Sequence, residues 1–183
     1  MRVSIFYKEN KMKLPKTVGA IWAQSLNGVI GYNNQLPKEF LSDLHYFSKV
    51  TKGSTVVMGR KTWESLPIKP LPNRVNVVMS SDKNYFAGPD VKVIQSLEEL
   101  QVTTDKLYFI GGEQLYKQFL PLCNELHVTV NGVIIEGDTF APDYKNIISE
   151  PDWTIVSGWS EVNEKENKSL YSLFFRKEGN CHV

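Results

Sequence analysis

Five strand-length, mostly apolar runs, at residues 18–23, 55–58, 75–79, 107–110 and 126–130, constrain this chain more than any other feature. The first, 18–23, is nearly continuous rather than alternating, the pattern of a strand covered on both faces. Helix-type stretches lie between them. One is expected over about 42–50, and a short one over 60–66 stopped by Pro67. Ser96-Leu97-Glu98-Glu99 has capping-box spacing and is expected to open another. A further helix follows Gly111-Gly112, carries Leu115, Phe119 and Leu120, and ends at Pro121. A short strand is expected at 91–94, and two late ones, 153–161 and 169–176, should form an antiparallel hairpin. Strands alternating with helices predict a single α/β domain with a mostly parallel sheet, which the closing hairpin makes mixed.

Residues 8–16 (KENKMKLPK) are basic and rich in breakers, so 1–16 reads as an extension, with Met12 as an alternative start. The domain is expected over 17–178, with a tail at 179–183. With 21 basic and 20 acidic residues the net charge is +1, which gives no bulk attraction for nucleic acid. No apolar run approaches the roughly 20 residues of a membrane span. The start lacks the long apolar core and cleavage site of a secretory signal. Cys123 and Cys181 show no metal or redox spacing, so no metal is expected and a reduced, cytoplasmic setting is the simpler reading.

Asp43 stands at the start of the 42–50 helix, beside an apolar face formed by Leu44 and Phe47. Partial burial would raise its proton affinity while the helix start lowers it, leaving a carboxylate able to handle a proton near neutrality. An ordinary solvated helix carboxylate is the competing reading on this stretch alone. Two strand-to-helix junctions offer anion sites: Met58-Gly59-Arg60-Lys61-Thr62, and Ile110-Gly111-Gly112-Glu113. Neither is a Walker loop or a Rossmann fingerprint. Both leave the carboxyl ends of strands, where open α/β sheets bind ligands. With Ser80-Ser81 nearby they point to a phosphorylated dinucleotide.

Further stretches complete a set: Trp22-Ala23-Gln24, Asn27-Gly28-Val29-Ile30-Gly31, Leu36-Pro37 before Asp43-Leu44 and Phe47, Trp63-Glu64-Ser65, Pro70-Leu71-Pro72-Asn73-Arg74, Tyr116, and Glu136-Gly137-Asp138-Thr139 with Pro142. In this order and spacing the chain resembles the dihydrofolate reductase family, as a divergent bacterial-type member. The resemblance implies an eight-stranded mixed sheet flanked by four helices. It also implies NADPH-dependent reduction of 7,8-dihydrofolate to 5,6,7,8-tetrahydrofolate, with hydride delivered to C6 and N5 protonated. By motif position Asp43 would serve the proton and Thr129 would orient it. Ile21, Trp22, Leu44, Phe47, Leu66, Lys69 and Ile110 would surround the substrate, and Arg74 would clamp its glutamate carboxylate. Ala23, Ile30, Gly31 and Leu36 would meet the nicotinamide half of the cofactor, with 29–35 as a covering loop. Gly59, Lys61, Thr62, Gly111, Gly112, Glu113, Gln114, Leu115 and Tyr116 would hold the pyrophosphate. Arg60, Ser80 and Ser81 would favour the 2′-phosphate, hence NADPH. Dihydrofolate is the expected partner, with no nucleic acid or membrane, and the chain is expected to be a monomer.

The sequence departs from the family pattern at four places. Lys38 replaces the usual Trp, Leu41 a Pro, and Glu113 and Gln114 a small residue and a frequent Arg. Two alternatives remain open at this point. One is a weak or inactive relative kept as a folate- or nucleotide-binding module. The other is a related NADPH-dependent pyrimidine reductase, which would need neither Arg74 nor the Leu-Pro…Asp-Leu-x-x-Phe pocket.

Overall fold

A computed structural model describes residues 14–163 and 168–177. Most of the extension (1–13), the tail and Cys181 lie outside the described residues. The chain runs β1 (Thr17–Ser25), β2 (Val29–Gly31), a 3-10 turn (Lys38–Asp43), α1 (Leu44–Thr51), β3 (Thr55–Gly59), α2 (Arg60–Ser65), β4 (Val75–Met79) and β5 (Lys92–Ile94). It continues with β6 (Lys106–Phe109), α3 (Glu113–Phe119), β7 (Glu125–Asn131), β8 (Thr139–Phe140), α4 (Lys145–Ile148), β9 (Trp153–Asn163) and β10 (Lys168–Lys177).

Eight strands form one sheet in the order β5-β4-β3-β6-β1-β7-β10-β9. The contacts from β5 to β7 are parallel, and β10 runs antiparallel to both β7 and β9. The mixed sheet with its late hairpin is therefore the one expected. The apolar runs are continuous because successive side chains point to opposite faces and both faces are covered. On β3, Val57 packs with Val18, Ala20, Trp22, Phe109 and Phe119 on one side. Its neighbours Val56 and Met58 pack with Trp63, Val78 and Tyr108 on the other.

Three local expectations need correction. The capping-box stretch forms only a 3-10 turn, Leu97–Glu99, and Ser96 makes no side-chain cap bond. Leu97 and Leu100 are both buried in the core. Their spacing of three suits a 3-10 turn, and the core contact ends it after one turn. Second, the chain turns as a 3-10 segment from Lys38 and becomes α-helical only at Leu44, so Asp43 lies at the junction rather than inside the helix. Leu44 is 44% exposed, so its apolar face is a cleft wall rather than core. Third, 29–31 and 139–140 pair as a separate two-stranded antiparallel ribbon, unread in the sequence. At Gly137 a Cβ would lie 2.1 Å from Val29 Cγ1 and 2.9 Å from the Gly31 carbonyl, so only glycine lets this ribbon close.

Candidate active site

The 3-10 turn begins where the Phe40 N–H donates to the Pro37 carbonyl at 3.0 Å. Side chains three apart eclipse in such a turn, and accordingly Phe40 and Asp43 are its two buried residues. Asp43 is 5% exposed. Thr129, in the middle of β7 and paired across to Ala23 of β1, donates from Oγ1 to Asp43 Oδ1 at 2.6 Å. Burial raises the proton affinity of Asp43, and the Thr129 bond and the charge of His127 partly oppose it. The net effect is upward from the ordinary carboxylate value. The expected pull of a helix start is replaced by these two β7 side chains.

Asp43 opens onto a cleft of about 1080 Å³, larger than a typical single-ligand pocket. Its floor comes from the central strands towards their carboxyl ends: Ile21, Trp22 and Ala23 within β1, Gly59 ending β3, Met79 ending β4 with Ser80 just after it, and Ile110 just after β6. Tyr116 is buried and donates its hydroxyl to the Ile21 carbonyl at 2.8 Å, with its ring 5.3 Å from that of Trp22. Trp22 Nε1 donates to Gln24 Oε1 at 2.8 Å, which satisfies a buried indole.

The two anion junctions prove to be one. The Gly59 N–H donates to the Gly111 carbonyl at 2.8 Å. A Cβ on Gly111 would lie 2.8 Å from both Thr62 Cγ2 and Thr62 Oγ1, and φ there is +145°. Both α2 and α3 start without a side-chain cap. Arg60, Lys61, Ser80, Ser81, Glu113, Gln114 and Leu115 line the same cleft. A glycine cradle closed by a threonine, ringed by two cations and two serine hydroxyls, fits a dinucleotide carrying an extra phosphate. The Arg60 guanidinium also sits 5.7 Å from the centre of the Tyr85 ring. Glu113, one departure from the family pattern, pairs with Lys117 one turn along α3, which offsets its charge locally.

The covering loop is tied from two sides. Tyr32 and Gln35 exchange backbone hydrogen bonds at 3.1 and 2.9 Å. Asp138 Oδ2 accepts the Asn33 N–H at 2.9 Å. Ile30, Gly31, Leu36, Leu44, Phe47, Leu66 and Gly112 also line the cleft where the sequence places them. Lys69 and Arg74 do not line it. Lys69 Nζ donates to the Glu64 and Trp63 carbonyls at 2.8 and 3.3 Å, closing the end of α2. Arg74 donates to Thr51 Oγ1 at 2.8 Å, to the Pro72 carbonyl at 2.6 Å and to the Ser48 carbonyl at 3.1 Å. Its guanidinium lies 5.6 Å from the centre of the Phe47 ring, immediately behind the cleft wall.

Phe40 and His127 were missed in the sequence. The Glu125-x-His127-x-Thr129 alternation on one strand was the available signal, since it puts all three side chains on one face. Among the described residues no group of three or more His, Cys, Asp or Glu side chains could hold a metal. No helix among them is long and apolar enough to cross a membrane.

Comparison with known proteins agrees with this geometry. The family model described as dihydrofolate reductase matches residues 17–177. A dihydrofolate reductase of Staphylococcus aureus is 38% identical over 151 residues, covering 82% of this chain and 91% of that protein. A bifunctional dihydrofolate reductase-thymidylate synthase of Paramecium tetraurelia is 42% identical over 144 residues, covering 75% of this chain but 30% of that longer protein. The solved dihydrofolate reductase from Enterococcus faecalis, complexed with NADP(H) and RAB-propyl, superposes with a TM-score of 0.77 at 30% identity. It covers 92% of this chain and 100% of that one.

Proposed function

The chain belongs to the dihydrofolate reductase family and reduces 7,8-dihydrofolate to 5,6,7,8-tetrahydrofolate with NADPH, and we propose the following division of labour among its residues. The observation that carries it is the buried Asp43, bonded to Thr129 at 2.6 Å and facing a cleft with a glycine phosphate cradle at its other end. Bound in that cleft, NADPH supplies the hydride that reduces C6.

Gly111, Gly112, Thr62 and Lys61 hold the pyrophosphate, and Arg60 with Ser80 and Ser81 selects the 2′-phosphate. Ile21, Leu44, Phe47, Leu66 and Ile110 wall the substrate and exclude water from its ring. Asp43 hydrogen-bonds the pterin edge and raises the share of substrate protonated at N5, while Thr129 fixes the rotamer of its carboxylate. Arg74, poised behind Phe47, receives the glutamate carboxylate by exchanging its Ser48 and Pro72 contacts for a two-pronged one. Lys69 supports this wall from the end of α2. The domain occupies 17–178 and works as a cytoplasmic monomer without nucleic acid or membrane.

Asp43→Asn tests the assignment. In a single-turnover assay of NADPH oxidation by dihydrofolate at neutral pH it should lose about 10²–10⁴-fold. Part of the rate should return at low pH, where substrate arrives already protonated. A mutant that turns over normally at neutral pH would remove Asp43 from the proton-handling role.

A further inference from the structure

We propose that His127 is a positioning residue for proton delivery, its ring charge governing how readily the buried Asp43 takes up and releases a proton. The inference rests on the reading of Asp43 as the proton-handling group. His127 precedes Thr129 by two residues on β7, so the two side chains leave the same face about 7 Å apart. Thr129 bonds Asp43, which brings the imidazole within electrostatic range of that carboxylate through a dry part of the protein. Such a neighbour is felt most strongly by a group that water cannot screen, and Asp43 is one.

The ring is held in place rather than merely packed. From α1, the Tyr46 hydroxyl hydrogen-bonds His127 Nδ1 at 2.7 Å. From its own strand, Glu125 Oε2 lies 3.6 Å from His127 Nε2. From β6, the Tyr108 ring meets the imidazole edge-on at 5.8 Å, and its hydroxyl donates to Glu125 Oε2 at 3.1 Å. From β10, Arg176 Nη2 donates to Glu125 Oε1 at 2.9 Å. Burial pushes Glu125 up, but the nearby His127 ring and the Arg176 hydrogen bond outweigh it and hold the carboxyl below its ordinary value. When the ring carries a positive charge, that charge favours the carboxylate form of Asp43. Arg176, Glu125, His127 and Asp43 thus follow one another across three packed elements, β10, β7 and the 3-10 turn. None of Glu125, His127 or Arg176 lines the cleft, so this line acts from behind the site.

The sign follows directly. Removing the imidazolium withdraws support for the carboxylate, so Asp43 holds its proton to higher pH.

His127→Gln tests this, because glutamine keeps a hydrogen-bonding head toward Tyr46 and Glu125 without a charge. Two readouts are needed on the NADPH-bound enzyme: the ¹³C carboxyl titration of Asp43, and the pH profile of single-turnover hydride transfer. Both should move upward by roughly half to one pH unit. Glu125→Gln, which disturbs no cleft residue, should move both in the same direction by less. It is also the deciding variant if His127→Gln does not fold. A folded variant with unchanged NADPH affinity and an Asp43 titration that stays put, or moves down, overturns the inference and leaves the Asp43 assignment standing. A carboxyl titration that moves while the rate profile does not would overturn the Asp43 assignment, and this inference with it.

Discussion

Thr129→Val isolates the bond on which the Asp43 assignment depends. Valine has nearly the shape of threonine, so the change removes the Oγ1 donor and little else. The lost bond is short, buried at both ends and made to an ionisable group. Bonds of that kind contribute about 1.5–3 kcal/mol, against about 0.5–1.5 kcal/mol for a neutral pair. Because the neutral form keeps about half of that contribution, the difference at 1.36 kcal/mol per unit should raise the Asp43 titration by about half to one pH unit. Burial already raises the proton affinity of Asp43 in the folded protein, so its ionisation opposes folding as pH rises through the folded titration. The Thr129 bond offsets part of that loss. Its removal should therefore destabilise by about 1.5–3 kcal/mol above the Asp43 titration, and by about half as much below it. Urea unfolding of wild type and mutant at two pH values on either side of the measured Asp43 titration gives the difference directly. Thr129→Ser is the control: it keeps the donor, loses one methyl, and should show a penalty independent of pH. If Thr129→Val has the same penalty at both pH values as Thr129→Ser, the contact is packing and the proton-handling argument loses its support.

Two further outcomes follow from the cleft. Gly111→Ala meets Thr62 at 2.8 Å with φ at +145°, so it should weaken NADPH binding by roughly 10–100-fold while dihydrofolate affinity changes little; equal losses for both ligands in fluorescence titrations would mean a general folding defect. Arg74→Lys should raise KM for dihydrofolate far more than for NADPH, because lysine cannot form the two-pronged contact; equal effects would leave Arg74 as a scaffold residue joining Ser48, Thr51 and Pro72.

The parallel sheet was legible because its strands are buried on both faces, as the alternating packing of Val56, Val57 and Met58 demonstrates. The glycine junctions were legible as a pattern, although only Gly111 must be glycine: a Cβ there would lie 2.8 Å from Thr62, whereas at Gly59 it would sit 3.9 Å from the nearest atoms. The depth of Asp43 was not, because it comes from a threonine 86 residues away and from a 3-10 turn whose period of three is too short to leave a pattern. The β2–β8 ribbon was hidden for a similar reason: it joins 3 residues to 2 across a long loop, and its fit depends on Gly137 meeting Val29. Leu97 and Leu100 misled because a capping-box spacing reports a local preference, and here the core contact overrode it. Arg74 and Lys69 show the same gap from the other side. A motif places the residue, but the carbonyl ends of α1 and α2 claim its donors.

Lys38 is the departure from the family pattern nearest to Asp43, and the turn geometry says what it changes. In a 3-10 segment Lys38 eclipses Leu41, and Phe40 eclipses Asp43. Lys38 and Leu41 are exposed, whereas Phe40 is 1% exposed and lines the cleft. The apolar cover over the carboxylate is therefore phenylalanine, and the lysine ammonium stays in water, where its desolvation costs nothing. A tryptophan at 38 would add apolar area at the cleft mouth without touching the surroundings of Asp43. Aromatic contacts of that kind contribute about 0.5–1.5 kcal/mol, equivalent to roughly twofold to tenfold in rate. Lys38→Trp should raise the single-turnover hydride rate by that factor at saturating NADPH, with the acidic limb of its pH profile unmoved. A limb that moves upward would show that the ammonium reaches Asp43 after all. A rate that stays level or falls would mean that Phe40 already closes the pocket, and that the lysine stands at a position the reaction no longer uses.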